Sequence, residues 1–136
     1  MKVWLLDTGP LVAFLDASDS YHDRVRARLS AHRGGFCTTS AIIFEAMHFL
    51  TVRLEAAERL VTFLSESRTQ ILDPKDQLAH CISLMRKYAD TPMDFGDATL
   101  VWAAHAVRVY DICTIDIRGF SIFRAASGKR FKLVLQ

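Results

Sequence analysis

The sequence is poor in the features that mark exported, membrane-borne or fibrous chains. No apolar run reaches the roughly 18 residues that a membrane-crossing helix needs. The opening stretch to Leu15 begins like an export signal, with a lysine and then apolar residues. Asp7, Gly9 and Pro10 interrupt it, so export is not expected. With 6 Gly and 3 Pro in 136 residues there is no linker, low-complexity segment or internal repeat, and a single domain over residues 1–136 is expected. Cysteines are few and odd in number: Cys37, Cys81 and Cys113 lie far apart in apolar surroundings. They predict buried free thiols in a reducing compartment, and hence a cytoplasmic protein. Charge of one sign is scarce too, and a net +2 neither calls for nor excludes nucleic acid.

Several chemistries are missing as well. There is no GxSxG, no placed cysteine–histidine pair and no phosphate-cradling glycine loop, which removes the common nucleophilic and nucleotide-binding designs. Glu45 and His48 form a Glu-x-x-His pair, but a di-iron bundle needs a second such pair, and there is none.

What is present is a set of carboxylates at the ends of apolar segments. Val3 to Leu6 predicts a short buried strand ended by Asp7, with Thr8-Gly9-Pro10 turning the chain into a helix from Leu11. Tyr21 to His32 has helical spacing with Ser20 as its cap, and Gly34-Gly35 ends it. Phe36 to Thr38 predicts a strand, and Thr39 or Ser40 caps a helix from Ala41 to Val52 that carries Glu45 between residues expected to be buried. A helix over Leu54 to Ser65, a strand at Gln70 to Leu72 and a helix from Asp73-Pro74 to Tyr88 follow. The long apolar run from Ala98 to Val109 suits a buried helix opened by Thr91 and Pro92, with Asp94 as a capping acid and Asp97 one turn on. Ile112 to Ile115 predicts a strand stopped by Asp116, and Arg130 to Leu135 a last strand at the sheet edge.

Short apolar strands alternating with helices predict an α/β layer fold with a mainly parallel sheet of four to five strands. In such sheets ligands gather at the carboxyl ends of the strands. Asp7 and Asp116 end strands, while Glu45 and Asp97 lie near helix starts, so all four are expected on one rim. Taken singly, Asp7 and Asp116 are equally well turn residues, Glu45 a surface glutamate and Asp94 a helix cap. Together they form an all-oxygen cluster whose mutual repulsion a hard divalent cation, Mg²⁺ or Mn²⁺, would relieve. Thr8, Ser40 and Thr114 stand where hydroxyls would orient these carboxylates.

Four segments in this order resemble a known family: Leu5 to Ala13, Thr39 to Glu45, Pro92 to Ala98 and Thr114 to Phe120. The chain resembles PIN domains, in particular the VapC-type toxin ribonucleases of bacterial toxin–antitoxin pairs. The resemblance implies a three-layer α/β/α fold and a metal-dependent endoribonuclease using Mg²⁺ or Mn²⁺. It implies that Asp7, Glu45, Asp97 and Asp116 form the catalytic metal-binding quartet, with Asp94 an accessory acid and Thr114 the hydroxyl ahead of the last acid. It further implies a homodimer and a small inhibitory antitoxin. Some relatives carry another acid where Gly119 stands here. For RNA contact the sequence offers Arg118, the Arg24, Arg26 and Arg28 helix face, and Lys129, Arg130 and Lys132.

A rival class is a non-enzymatic Mg²⁺-binding receiver-like signalling or interaction domain. It wants paired acids directly after the first strand and a lysine after a late one. Here Thr8-Gly9-Pro10 follows Asp7, and no lysine follows Thr114.

Overall fold

The computed structural model of the chain describes residues 2–136. Five parallel strands form the central sheet: β1 (Val3–Leu6), β2 (Gly35–Thr39), β3 (Gln70–Leu72), β4 (Asp111–Cys113) and β7 (Lys132–Leu133), in the order β3-β2-β1-β4-β7. A small antiparallel hairpin of β5 (Arg124–Ala125) and β6 (Lys129–Arg130) stands apart from it. The helices are α1 (Thr8–Leu15), α2 (His22–Ala31), α3 (Ser40–Leu50), α4 (Leu54–Glu66), α5 (Leu78–Lys87), α6 (Phe95–Val107) and α7 (Ile117–Ile122). Among the described residues no helix is long and apolar enough to cross a membrane.

The topology follows from the sequence pattern. Strands β1 and β2 are apolar along most of their length because both sheet faces are covered. Right-handed crossovers from β1 to β2 and on to β3 put α1 to α4 on one face. The reversal from β3 to β4 puts α5 and α6 on the other. Leu5, Leu11, Ile42, Leu60, Leu100, Ile112, Phe120 and Phe123 are fully buried between these layers. Cys37, Cys81 and Cys113 are free and buried, and burial pushes the Cys37 thiol up to about 11 and that of Cys113 to about 12. Such thiols stay protonated and inert at neutral pH.

The structure moves several expected boundaries. Tyr21, not Ser20, precedes α2, and Gly35 begins β2 rather than ending a helix. A 3-10 turn over Pro74–Asp76, capped by Asp73, is separated from α5 by Gln77, so the expected single helix is two pieces. Helix α6 starts at Phe95, with Asp94 rather than Thr91 as its cap. Asp94 and Asp97 bond each other's backbone N–H reciprocally, and that capping box sets the start more firmly than a threonine before proline. Helix α7 replaces the turn expected after Asp116. The expected last strand is split: β6 joins the hairpin, and β7 pairs with β4 at the sheet edge.

Candidate active site

The sheet reverses its order of progression at β1, which is flanked by β2 on one side and by the much later β4 on the other. The carboxyl ends of β1 and β4 therefore border a crevice at the topological switch point, where parallel sheets hold their ligands. Asp7 follows β1 directly, and Thr114 and Asp116 follow β4. The start of α6 brings Asp94 and Asp97, and α3 brings Glu45.

Each acid is held by donors from its own or a neighbouring element. Asp7 caps α1: one carboxylate oxygen accepts the Thr8 N–H at 2.8 Å, and the other accepts the Thr114 hydroxyl at 2.7 Å. Thr114 Oγ1 in turn accepts the Asp116 N–H at 3.0 Å, so one buried hydroxyl ties the end of β1 to the turn after β4. The Thr8 hydroxyl donates to Glu45 Oε1. Asp97 Oδ2 accepts the Asp94 N–H at 3.1 Å, and Asp94 Oδ1 accepts that of Asp97 at 2.7 Å. Asp116 caps α7 through the Gly119 N–H at 3.0 Å.

Gly96 and Gly119 show how tightly the region is built. A Cβ on Gly96 would lie 3.4 Å from Asp94 Oδ1 and 3.7 Å from Glu45 Oε1, so these two acids flank the first turn of α6. A Cβ on Gly119 would lie 2.3 Å from Asp116 Oδ2 and 2.9 Å from the Phe123 ring. Any side chain there displaces the Asp116 carboxylate, which is a steric reason for glycine at this position.

Electrostatics single out two of the acids. Asp7 is 8% exposed and Asp97 9%. Burial pushes the Asp7 carboxyl up to about 6, with the Asp94 and Glu45 charges adding to it and the Thr114 and Thr8 bonds opposing. Burial pushes Asp97 up to about 8, reinforced by the charges of Asp7, Asp94 and Asp116. Two buried carboxyls that are both pushed up, with the Asp7 charge acting on Asp97, mark a site where negative charge is concentrated without a countercharge. Among the described residues the one ion pair is Lys2–Asp111, at 3.5 Å, and it involves none of these acids.

The donor set suits a hard cation in kind. Asp97, Asp94, Glu45 and Asp116 each have one oxygen engaged by a protein donor. Their second oxygens take no protein hydrogen bond among the described residues. An oxygen without a protein donor can ligate Mg²⁺ or Mn²⁺, and each Asp7 oxygen, though it accepts one bond, keeps a second lone pair for the same purpose. As they stand, no three His, Cys, Asp or Glu side chains among the described residues are close enough to hold an ion. Asp7, Asp94, Asp97 and Asp116 are each bonded to backbone N–H groups at a helix start, and Glu45 to the Thr8 hydroxyl.

The remaining sequence candidates fall in different places. Ser40 is the first residue of α3 and bonds none of the acids, because Thr39 is the cap. Arg118 is exposed on α7, next to Asp116. His48 is exposed and lies edge-on to Phe49. Of the residues beside Glu45, Ala46 is buried as expected but Phe44 is 70% exposed. Of the three arginines expected on an RNA-facing helix face, Arg26 bonds no backbone carbonyl among the described residues, while Arg24 and Arg28 donate to the carbonyls of Leu135 and Val134, and Arg28 also lies over the Trp4 ring at 5.5 Å. These two clasp the C-terminal segment.

Sequence reasoning missed a chain of threonines. Thr39 Oγ1 and Thr99 Oγ1 are 2.8 Å apart, Thr99 donates to the Gly96 carbonyl at 2.7 Å, and Thr38 donates to the Leu6 carbonyl at 2.8 Å. These buried hydroxyls lock β2, β1 and α6 together beneath the acids. The signal was a Thr-Thr pair at a strand end and a lone threonine in the apolar run of α6.

The architecture is the PIN-like form of the α/β class, a parallel five-stranded sheet flanked by helices. Among solved structures it is similar to VapC20 of Mycobacterium tuberculosis, described as a sarcin-ricin loop cleaving toxin. The TM-score is 0.72 over 82% of this chain and 87% of that one, at 15% identity. No protein-family model and no curated protein matches the sequence.

Proposed function

We propose that the protein is a metal-dependent endoribonuclease that hydrolyses RNA phosphodiester bonds, and that it acts in the cytoplasm as the toxin of a toxin–antitoxin pair. The observation that carries this reading is the pair of buried carboxyls, Asp7 and Asp97, both held toward the protonated form at the switch point of a PIN-like sheet. The fold shared with an RNA-cleaving toxin supports the same choice. A cognate antitoxin and a homodimer belong to the proposal.

In this reading Asp7 and Asp97 hold the ion, and Glu45 and Asp116 complete its ligands. When bound, Mg²⁺ or Mn²⁺ neutralises the cluster, polarises the phosphodiester and activates water for attack. The protein's own contribution is position. Thr114 fixes the Asp7 rotamer, Thr8 fixes Glu45, and Asp94 caps the helix that presents Asp97. Burial of Asp7 and Asp97 keeps bulk water from screening them. Arg118, exposed beside Asp116, is placed to meet a phosphate.

The test is cleavage of a mixed pool of structured RNAs with Mg²⁺, with Mn²⁺ and with EDTA, beside Asp97→Asn. Cutting that needs the metal and is lost in the nearly isosteric variant is the expected result. An equally active Asp97→Asn would overturn the site, and unabated cutting in EDTA would overturn the metal.

A further inference from the structure

A second feature lies along α6 from the acids. A groove of about 430 Å³ runs between α5, α6 and the β5–β6 hairpin, bordered by Lys87, Trp102, His105 and Arg124. It adjoins a second hollow of about 340 Å³ that shares His105, Ala126 and Ser127 and adds Arg108, Tyr110 and Lys129. Lys87, Arg108, Arg124 and Lys129 supply four fixed positive charges along this surface, and His80 and His105 are on it as well. No carboxylate lines either part among the described residues. On a chain of net charge +2 this is a marked local excess.

The groups are positioned rather than scattered. Arg108 ends α6 in the left-handed region, at φ 55° and ψ 46°, where glycine is the usual residue. Lys129 Nζ lies 6.0 Å from the Tyr110 ring centroid. Arg124 bonds the carbonyls of Ser121, Ile122 and Phe123 through a single guanidinium nitrogen, which fixes its direction. Trp102 is half-buried on the groove wall and presents an indole surface among these cations. Cations interleaved with aromatic faces in an acid-free groove match a single-stranded nucleic acid, whose phosphates meet the charges and whose bases meet the rings. An acidic polypeptide would use the charges but give the rings no partner.

The groove also has a fixed relation to the acids. Trp102 and His105 are five and eight residues beyond Asp97 on the same helix, or roughly 8 and 12 Å along its axis. We propose that this groove is an RNA-binding exosite that holds the strand flanking the bond presented to the acid cluster. The proposal rests on the ribonuclease reading for its purpose, while its test measures binding alone.

The test uses the Asp97→Asn protein in EDTA and a fluorescein-labelled single-stranded RNA of mixed sequence, followed by anisotropy over a range of salt. Lys87→Gln, Arg108→Gly and Lys129→Gln are combined in that background; Arg108→Gly keeps the left-handed backbone unstrained. Loss of three phosphate contacts should weaken binding on the order of tenfold or more and reduce the log–log salt slope by about 2. Arg33→Gln with Arg68→Gly, both exposed and outside the groove, should change neither. With Trp4→Phe added, RNA should quench the remaining Trp102 emission. Unchanged affinity and slope in the triple variant would overturn the exosite, as would quenching absent at saturation. If the triple variant loses binding while the wild type never cleaves RNA, the exosite stands and the nuclease reading fails.

Discussion

Asp97→Asn should make the metal-free protein more stable, and increasingly so as pH rises. In the folded state this carboxyl is pushed from its ordinary 3.8 up to about 8 by burial and by the charges of Asp7, Asp94 and Asp116. Between those two values the folded protein keeps a proton that the unfolded chain has released. The folded state therefore binds more protons, and stability falls as pH rises through the window. Asparagine carries no charge in either state, so the variant escapes this slope. It also keeps a carbonyl oxygen to accept the Asp94 N–H, so the cap on α6 survives. Each pH unit inside the window is worth about 1 kcal/mol, or on the order of 3 kcal/mol between pH ~5 and ~8. For a domain of this size that is roughly 10 °C in Tm. Differential scanning fluorimetry of both proteins in EDTA across that range reads it directly. The curves should converge near pH ~4 and separate steadily above it. Excess Mn²⁺ at pH ~8 should raise the wild type alone, because a ligand stabilises only the state that binds it. A gap that does not change with pH, or a variant less stable than wild type at high pH, would refute the argument that these acids are uncompensated.

Other outcomes follow from the same contacts. Thr114→Val removes the donor to Asp7 and the acceptor for the Asp116 N–H, and should cost about 1–3 kcal/mol in urea unfolding while lowering cleavage. Gly119→Ala forces the Asp116 carboxylate and Phe123 to shift, and should destabilise by roughly 1–3 kcal/mol with a matching loss of activity. Leu100→Ala, at the centre of α6, should cost about 2–5 kcal/mol by opening a cavity against the sheet. Arg28→Ala should speed amide exchange at Leu133 and Val134 while costing only about 1 kcal/mol globally, because the arginine holds the edge strand and not the core.

The parts of the fold that were legible in the sequence are those set by pattern. The apolar strand from Val3 to Leu6 and the apolar run of α6 follow from burial on both faces, and burial is written in residue type; Thr8-Gly9-Pro10, expected to turn the chain ahead of a helix at Leu11, is instead the first turn of α1, which Asp7 caps. The acids at strand ends and helix starts were legible for a related reason: a parallel sheet has one carboxyl edge. Missed features depended on competition between neighbours. Thr91-Pro92 and Asp94-Asp97 both offered a start to α6, and only three-dimensional placement shows that the reciprocal pair wins. Arg24 and Arg28 have the spacing of a solvated helix face, and their true partners lie more than 100 residues away, where periodicity carries no information. Thr114 was legible despite a similar separation, because a hydroxyl just past β4 lies at the same carboxyl edge of the sheet as Asp7.

That adjacency has a consequence for the order in which the protein comes into being. Asp7 is synthesised well before the hydroxyl that holds it, which lies 107 positions downstream. Until β4 has been made and has docked against Leu5 and Leu6, the crevice has only one wall and Asp116 is absent. A nascent chain that has already formed β1, β2, β3 and their helices still holds a sheet with β1 as a bare edge. Completion thus waits on the most non-local pairing in the fold, which is also the slowest kind to form. The acids cannot meet before β4 has paired with β1, so whatever chemistry they perform is withheld until synthesis has passed Asp116.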